Sequence, residues 1–317
     1  MLRYVSLARG TSEKIHLFTQ IIKINYFTWK GLGYFIDTSA VDIIVWDTPR
    51  STVIVSSGAV ALYPFTSAAS GRDASKYRNP TAQIKGLSFI QGPDGHPQGA
   101  YYFPGLRRRR GGRTRGSYAV IPNDGCLDTR YSITIIAWIY PEKPGPIVHY
   151  NPKGWGLHLW LTHPNELYFR LMPRRGSRRN VKPLTTRGLK PYTWSYISAT
   201  YDHRTGLATL WINGNPVSQR NVGKFTLGLA TNYPVVVGQR PGDRRVFRGR
   251  IACLQIYNMA LTRAQIVARQ KQCFRPGKQN RLSVFKVLKL ETKTKQKSET
   301  CNEIQAYKLR LTAAMFV

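Results

Sequence analysis

The stretch WSYISATYDHRTGLATLWING, residues 194–214, contains two runs of alternating side chains, separated by a polar turn and followed by Asn-Gly. Alternate residues of a β-strand point to the same face, so each run has one apolar face and one face that mixes hydroxyls with aromatics. Gly206 can adopt the positive φ that the turn needs, and Asn213-Gly214 favours a tight type I′ reversal. The stretch therefore predicts a β-hairpin whose apolar face packs inward and whose other face is covered by loops or open to a ligand. The inward residues are Ile197, Ala199, Tyr201, Ala208, Leu210 and Ile212.

Similar short runs recur between clusters of Gly, Pro, Asn and Asp from about residue 59 onward, a spacing typical of β-sandwiches and barrels. Ten such runs are enough for two sheets of ordinary width. The predicted strands span residues 100–103, 118–121, 133–140, 146–150, 155–162, 166–171, 194–201, 207–212, 234–238 and 249–257.

The sequence also predicts one helix, in NMALTRAQIVARQKQCF near the end of this region. Leu261, Ile266 and Val267 share one face of that helix, and Thr262 can form a capping box with Gln265. The body of the protein is therefore all-β with one short C-terminal helix.

The composition indicates a folded, strongly basic protein. Forty-eight Lys and Arg residues against fifteen Asp and Glu give a formal net charge of +33. Hydrophobic residues at 42% and aromatics at 12% exclude a disordered basic tail, which lacks the apolar surface to offset chain entropy. Such a charge favours a polyanionic partner, namely nucleic acid, sulfated polysaccharide or anionic lipid. Charge that serves solubility alone is the alternative.

The two ends of the chain differ from its middle. Residues 1–58 mix aromatics and charges without a sustained period and are interpreted as a poorly defined appendage, whereas residues 275–317 form a basic tail rich in Lys, Thr and Ser. The first eighteen residues lack the apolar core and cleavage site of a signal peptide. The apolar stretches near residues 41–62 are well below the roughly 20 residues of a membrane-spanning helix, so no transmembrane segment is predicted.

Four blocks of the sequence, taken in order, resemble laminin-G-like, or concanavalin A-like, jelly-roll domains related to pentraxins. The blocks are ALYPFTSAASGRDASKYRNPTAQIKGLSFIQGPDGHPQGAYYFPG, GSYAVIPNDGCLDTRYSITIIAWIYP, WSYISATYDHRTGLATLWINGNPV and VVVGQRPGDRRVFRGRIACLQIYNMALTRAQIVARQ. The resemblance covers residues 59–274 and implies a two-sheet antiparallel jelly-roll sandwich. It also implies an extracellular module that binds glycans or proteins, although the fold alone does not identify the ligand.

The resemblance bears on metal binding as well. Members of the family often place an acidic residue after the G-x-I of the late strand, where it contributes to a structural calcium site. This chain has Ala252 there, in GRIACLQIY. Calcium prefers several oxygen ligands, carboxylates among them, so the loss of this ligand argues against a calcium site, and no other cofactor is expected. Asp73 remains the candidate metal ligand, and an Asx turn is the alternative interpretation of that residue.

The cysteines are few and lack the CxxC spacing of a metal site. In similar domains, a cysteine on the late strand and one at the end of the helix form a disulfide, which here implies a Cys253–Cys273 bridge. Two buried free thiols are the alternative for a protein that stays in the cytosol. Cys126 and Cys301 have no evident partner.

Catalysis is not expected from this sequence. Glycosidases of the concanavalin A-like fold use two carboxylates about 5–9 Å apart, which on one strand means acidic residues at i and i+2 or i+4. None of the predicted strands carries such a pair. His149, His158 and His163 are interpreted as structural or surface residues, because His149 is remote in register and the other two flank a turn.

Arginines cluster in three segments that we name the first arginine loop (residues 106–117), the second (173–180) and the third (240–250). The planar guanidinium holds sulfate, phosphate or carboxylate through two parallel hydrogen bonds. Loops at the end of a sandwich often carry ligand sites, so we expect the three loops to lie near one another, with Trp155 and Trp160 offering flat surface for sugar rings. The predicted ligand-binding arginines are Arg107, Arg108, Arg109, Arg110, Arg113, Arg115, Arg174, Arg175, Arg178, Arg179, Arg244, Arg245 and Arg248.

Together these features favour a non-catalytic extracellular module that binds acidic or sulfated glycans or extracellular matrix proteins. An intracellular nucleic-acid-binding protein is the first alternative, because the same arginines suit phosphates, although no DNA- or RNA-reading motif is present. A structural or adhesive domain whose charge only keeps it solvated is the second.

Overall fold

The chain divides into two compact units, Met1–Ser57 and Gly58–Val317. In the first unit, strand β1 (Val41–Ile44) pairs antiparallel with β2 (Ile54–Ser57). The division of the chain at residues 58 and 274 stays a prediction, and the basic tail, 275–317, lies outside the described residues. The computed structural model describes residues 41–44, 54–108, 114–150, 156–175, 181–240, 242 and 244–274, with the backbone alone at 41–44, 54–57, 107–108 and 114–115.

The second unit contains two antiparallel sheets. Sheet I consists of β3 (Ala61–Tyr63), β5 (Ser88–Ile90), β6 (Ala100–Pro104), β10 (Ile133–Lys143), β15 (Ser195–Asp202), β16 (Leu207–Ile212), β17 (Asn215–Asn221) and β19 (Arg248–Tyr257). Sheet II consists of β4 (Gln83–Lys85), β9 (Tyr118–Ile121), β11 (Gly145–Tyr150), β12 (His158–His163), β13 (Glu166–Arg170), β14 (Leu184–Arg187) and β18 (Val235–Val237). The strand order is β17-β16-β15-β10-β19-β6-β5 in sheet I, with β3 also paired to β19, and β14-β13-β12-β11-β18-β9-β4 in sheet II. A separate short ladder joins β7 (Arg107–Arg108) to β8 (Thr114–Arg115).

The core lies between the two sheets, where their apolar faces meet. Most strands contribute alternate residues to it, and the hairpin that opens the sequence analysis contributes all six of its predicted inward residues. The prediction of a two-sheet antiparallel sandwich is confirmed. Among the largest fully buried side chains are Tyr63, Phe65, Phe103, Tyr150, Phe169, Tyr201 and Phe247.

All ten predicted strands are present, to within one to three residues at their ends where the chain is described. The Asn-Gly turn was also predicted well, because Asn213 and Gly214 have φ of 53° and 78°. The prediction missed β3, β4 and β5, which have three residues each and are too short to show a period. It also missed β14 and β17, and β17 is a mostly exposed edge strand without an apolar face.

A short helix, α1 (Arg263–Ala268), covers part of the outer face of sheet I. Thr262 and Gln265 form the predicted capping box, and Ile266 is buried. Val267, predicted to share the buried face, is 47% exposed, because it lies about 100° around the helix from the buried Ile266. The hydroxyl of Tyr196 donates to the Ile266 carbonyl at 2.8 Å, so the aromatic side of the opening hairpin packs against the helix.

The predicted disulfide between Cys253 and Cys273 is confirmed. It ties the end of the helical segment to β19, and the indole of Trp138 donates to the Gln270 carbonyl at 3.0 Å in the same segment. Cys126 is disulfide-bonded too, whereas Cys301 lies outside the described residues.

Gly145 allows the third arginine loop to lie close against sheet II. Gly145, at the start of β11, has φ of 151°, and a Cβ placed on it would lie 2.3 Å from the backbone nitrogen of Phe247. Phe247 is buried, and its amide donates to the Gly238 carbonyl at 2.8 Å. Because the clash would be with backbone, no side-chain rearrangement can relieve it, and the residue at 145 must be glycine for the loop to pack here.

We expect the Gly145→Ala variant to be destabilised by about 3 kcal/mol, from the positive φ and from overpacking together. Gly223→Ala is the matched control, because Gly223 has φ of 79° but no atom near its missing side chain, and should cost about 1 kcal/mol. Urea unfolding of both variants measures the difference. Equal losses would show that the loop does not depend on this contact.

Candidate functional site

The outer face of sheet II, opposite the core, carries a cluster of rings and positive charges. On β12, Leu159 and Leu161 point into the core, so His158 and Trp160 point outward. The register of β13 places Arg170 opposite His158 and Tyr168 opposite Trp160. Alternation along two neighbouring strands thus assembles these four side chains on one surface.

The rings on this face form a packed cluster with His158 at its centre. The ring centroid of His158 lies 4.7 Å from that of Trp160 and 5.6 Å from that of Tyr168, with which it is nearly parallel. His149, on β11, faces His158 directly, with 5.6 Å between the ring centroids. His149, His158 and Trp160 are buried and Tyr168 is half-buried.

The third arginine loop brings positive charge to this cluster. The guanidinium carbon of Arg245 lies 4.6 Å from the centroid of the Trp160 ring, in a cation–π contact. Arg170, Arg240 and Arg245 each lie close enough to His158 to disfavour its protonation. We call this group the outer-face site, and it consists of His158, Trp160, Tyr168, Arg170, Arg240 and Arg245.

His158 is neutral at physiological pH. Burial lowers the pKa of His158 to about 4, and the three arginines act in the same direction, whereas a hydrogen bond with the Gly156 carbonyl opposes the shift. That bond, 2.8 Å long, is donated by Nδ1, which fixes the neutral tautomer. The positive charge of the site therefore resides on arginines, which keep it at any physiological pH.

Acidic groups are scarce on this sheet. Glu166 is the sole acidic residue in its seven strands, and a hydrogen bond from Thr162 is the main cause that lowers the pKa of its carboxyl. The carboxylate also lies 2.9 Å from Nδ1 of His163 and 3.5 Å from Nε of Arg187. Glu166 is thus already paired.

The three arginine loops do not lie together, which corrects our expectation. The first and third share one end of the sandwich, where the Ser117 hydroxyl bonds Gly105 and the side chain of Arg248 packs against Gly105. The second loop lies at the opposite end, because residue 173 bridges to Leu229, in the segment that precedes β18. Five strands lie between the first loop and the second along the chain. Each strand runs from one end of the sandwich to the other, so after an odd number of strands the chain is at the opposite end.

Two of the predicted arginines are held in ion pairs. Arg174 donates to both carboxylate oxygens of Asp128, and Arg248 donates through Nε to Glu142 at 2.8 Å. Their guanidinium groups help to hold the fold, so they are not assigned to the outer-face site. Arg244, next to Arg245, is exposed, and Arg175 lies beside a groove of about 190 Å³ at the opposite end.

Several predicted residues cannot be placed at the site. Arg107, Arg108 and Arg115 lie in the β7–β8 ladder, where the backbone alone is described. The others lie outside the described residues, namely Arg109, Arg110, Arg113, Trp155, Arg178 and Arg179. Their roles in ligand binding stay predictions.

Asp73, the candidate metal ligand, organises its own loop. Its carboxylate accepts hydrogen bonds from the amides of Leu62, Ser75 and Asn79 and from the side chains of Ser75 and Asn79. In the part of the chain that the structure describes, no cluster of three or more His, Cys, Asp or Glu residues suits a metal ion. The loop geometry is that of an Asx turn extended by further donors.

Sequence reasoning named Trp160 and Arg245 as candidate ligand-binding residues, and the structure brings the two together. It did not name His158, Tyr168 or Arg170 as candidates. The interpretation of His149 as remote in register is wrong, since it is the cross-strand partner of His158. The signal for His158, Tyr168 and Arg170 was present in the alternation of HLWLTH and ELYFR, which puts them on the outward face. The position of Arg240 depends on how the third loop folds and has no local signal.

Comparison with known families identifies the fold. The profile of the concanavalin A-like lectin/glucanases superfamily, in its laminin G form, matches residues 112–267. The sandwich domain is therefore a laminin-G-like member of that superfamily. No curated protein matches the chain significantly.

Similar solved structures include bacterial toxin domains. They are the receptor binding domain of botulinum neurotoxin C/D mosaic serotype (TM-score 0.51, 13% identity), the binding domain of botulinum neurotoxin DC in complex with rat synaptotagmin II (0.50, 12%) and the binding domain of Paraclostridial Mosquitocidal Protein 1 (0.50, 15%). These matches cover 67%, 74% and 67% of this chain, which spans about half of each of those domains: 50%, 52% and 51%. At such identities the likeness concerns the fold alone.

The pKa of His158 predicts a specific loss of stability in acid. Burial of the neutral ring contributes stability above pH 6.5, and this contribution is lost as the pH falls toward 4, because the unfolded chain then binds a proton that the folded chain refuses. We expect this residue to account for a loss of about 3 kcal/mol between pH 7 and pH 4.

Urea unfolding of wild type and His158→Phe at both pH values measures this contribution as the difference between their pH-dependent losses. His96→Phe, which replaces an exposed loop histidine, is the control and should retain the wild-type pH dependence. An identical loss in wild type and His158→Phe would show that His158 does not titrate in this way.

Proposed function

We propose that this protein is a non-catalytic, extracellular binding module for acidic glycans, sulfated ones in particular, and that the outer-face site of sheet II holds the ligand. One observation carries the proposal: the Arg245 guanidinium lies over the Trp160 ring, on a face where Arg170 and Arg240 add charge and the central histidine is neutral. This arrangement places fixed positive charge above a buried cluster of rings.

The stacking matters for affinity because it orients the guanidinium before a ligand arrives. A side chain that is already held in place loses less rotamer freedom on binding. The planar fork of arginine then meets sulfate or carboxylate with two parallel hydrogen bonds.

The acidic residues of the strands support a binding role over hydrolysis. Glycosidases need two carboxylates about 5–9 Å apart, and the strands of sheet II hold Glu166 alone. In sheet I, Glu142 lies near the end of the long strand β10. Asp202 lies beside the start of that strand, because the preceding residue, Tyr201, pairs with Ile133. Neither sheet therefore presents a pair at catalytic spacing on its strands.

The cysteines support a location outside the cytosol. The Cys253–Cys273 bridge and the disulfide of Cys126 suit an oxidising compartment. In the described residues, no helix has the length and apolar character to cross a membrane. A protein ligand is the second candidate, since a binding domain of similar fold was solved in complex with rat synaptotagmin II.

The central test measures binding of a heparin tetrasaccharide by calorimetry. Arg245→Gln should weaken binding roughly tenfold or more, because it removes a charge-assisted contact. Arg204→Gln is the matched control, since Arg204 is 86% exposed in the β15–β16 turn and the variant loses the same single charge. We expect its affinity to stay within about twofold of wild type at 0.15 M salt.

Competition with single-stranded DNA and RNA of equal charge separates this proposal from nucleic-acid binding. We expect the sulfated tetrasaccharide to displace both nucleic acids. Equal losses of affinity in Arg245→Gln and Arg204→Gln would show that binding depends on overall charge and not on this site. Preferred binding of RNA or DNA would reject the glycan assignment.

The first arginine loop lies at the same end as the third, which makes it the natural extension of the site. Replacing Arg107, Arg108, Arg109 and Arg110 with Ser should leave the melting temperature unchanged and lower heparin affinity. A variant with Ser at Arg175, Arg178, Arg179 and Lys182 removes four charges from the opposite end and is the control. If that control loses as much affinity as the first-loop variant, binding is not confined to one end.

A further inference from the structure

A second arrangement of rings and charge lies on the opposite side of the molecule, on the part of sheet I that the helix leaves uncovered. The register pairs Tyr140 of β10 with Arg250 of β19, and Arg250 with Tyr102 of β6. Trp194, just before β15, continues the line, with its ring centroid 5.7 Å from that of Tyr140. We call Trp194, Tyr140, Arg250 and Tyr102 the aromatic row.

The row faces away from the core. The neighbours of its members along the strands, Tyr101, Ile139 and Ile251, are buried core residues, so alternation directs the row outward. Trp194, Tyr140, Arg250 and Tyr102 are all partly exposed. The row is therefore accessible, unlike Trp138 and Tyr196 beside it, which pack with the helical segment.

Within the row, Arg250 has a buried hydrogen-bond donor without an acceptor among the described residues. Its guanidinium carbon lies 4.4 Å from the centroid of the Tyr140 ring, and its Nε atom is buried without a hydrogen-bond partner in the described part of the chain. A buried donor without an acceptor costs free energy, and a native structure that keeps one calls for an explanation. Because the Nε atom itself is shielded from solvent, a ligand would reach the remainder of this partly exposed side chain.

The neighbouring arginine shows why Arg250 stays unpaired. Arg248 donates to Glu142 at 2.8 Å, and the Tyr102 hydroxyl donates to the same carboxylate oxygen at 3.3 Å. In the strands of sheet I, that carboxylate is the sole acidic group next to the row, and it already accepts hydrogen bonds from Arg248 and Tyr102. The local charge is therefore that of Arg250, which calls for an anion.

Tyr192 adds exposed ring surface next to the row. Its side chain is 63% exposed, and its ring centroid lies 6.5 Å from that of Tyr140, edge to face. Its backbone has φ of 57°, which is costly for a bulky residue. An amide hydrogen bond to the Pro141 carbonyl at 2.8 Å holds this conformation. The structure thus keeps a strained tyrosine where its ring is in contact with solvent.

From these features we infer that Arg250, with Tyr140, Tyr192 and Trp194 around it, binds an acidic sugar unit at a second site. The carboxylate or sulfate accepts from the Arg250 guanidinium, and the apolar face of the sugar ring packs on Trp194 and Tyr192. Because the two sheets turn their outer faces in opposite directions, one molecule can hold two polysaccharide chains at once. This inference does not depend on the outer-face site.

The test uses the full chain with Arg245→Gln as background, which weakens binding at the outer-face site. Two probes are titrated by calorimetry: a hyaluronan tetrasaccharide, which carries carboxylates alone, and a heparin tetrasaccharide, which carries carboxylates and sulfates. Binding of either probe that Arg250→Gln weakens at least tenfold, without lowering the melting temperature, is the expected result. Lys143→Gln removes one charge from the neighbouring strand end and should stay within about twofold.

Tyr192→Gly separates binding from folding. Glycine adopts a positive φ without steric cost, so the variant should keep or raise the melting temperature while the affinity for the probe falls at least threefold.

Three outcomes would overturn the inference. The first is that neither probe binds in the Arg245→Gln background, while wild type binds heparin; the outer-face site would then be the single site, and the proposed function would stand. The second is equal affinity in Arg250→Gln and Lys143→Gln. The third is that a glutamate-rich peptide binds in place of both sugars and loses affinity in Arg250→Gln, which would make the row a protein-docking surface.

Discussion

The division of every strand into an inward and an outward set of side chains is the constraint on which this molecule depends. On β12, the register that buries Leu159 and Leu161 also directs His158 and Trp160 outward. Side-chain direction in a sheet has a period of two, so the same pairing that packs the core sets which outward rings meet. The rings of the outer-face site are thus positioned with the rigidity of the core itself.

Strand positions could be predicted from the sequence because their signals are local, and the same holds for the Asn-Gly turn and the helix cap. Pairing could not, since the contact of His149 with His158 depends on the β11–β12 register and on its irregularity between residues 146 and 148. The separation of the first and second arginine loops could have been predicted, because five of the ten predicted strands lie between them along the chain. An odd number of strands places the two loops at opposite ends of the sandwich. The environment of Arg250 could not be predicted, because it is formed by β6, β10 and β19, which are distant from one another in sequence.

The large positive charge serves two purposes in this structure. Arg174 and Arg248 satisfy carboxylates within the fold, at Asp128 and Glu142. Arg245 and Arg250 lie over aromatic rings on the two outer faces, at Trp160 and Tyr140. Basic residues therefore occupy different environments in this fold, and each of the two proposed ligand sites contains an arginine that lies over an aromatic ring.

The covering of sheet I by the helical segment has a consequence for where the protein can be made. Beneath that segment lie Tyr196, Trp211 and Tyr257, an apolar surface that is buried while the cover stays in place. The helix has six residues, too few to persist alone in water, so it relies on its packing and on the bond between Cys253 and Cys273. A reducing environment would break the disulfide, loosen the helical segment and expose the aromatic surface beneath it. Chains synthesised there would be prone to self-association and to degradation by proteases.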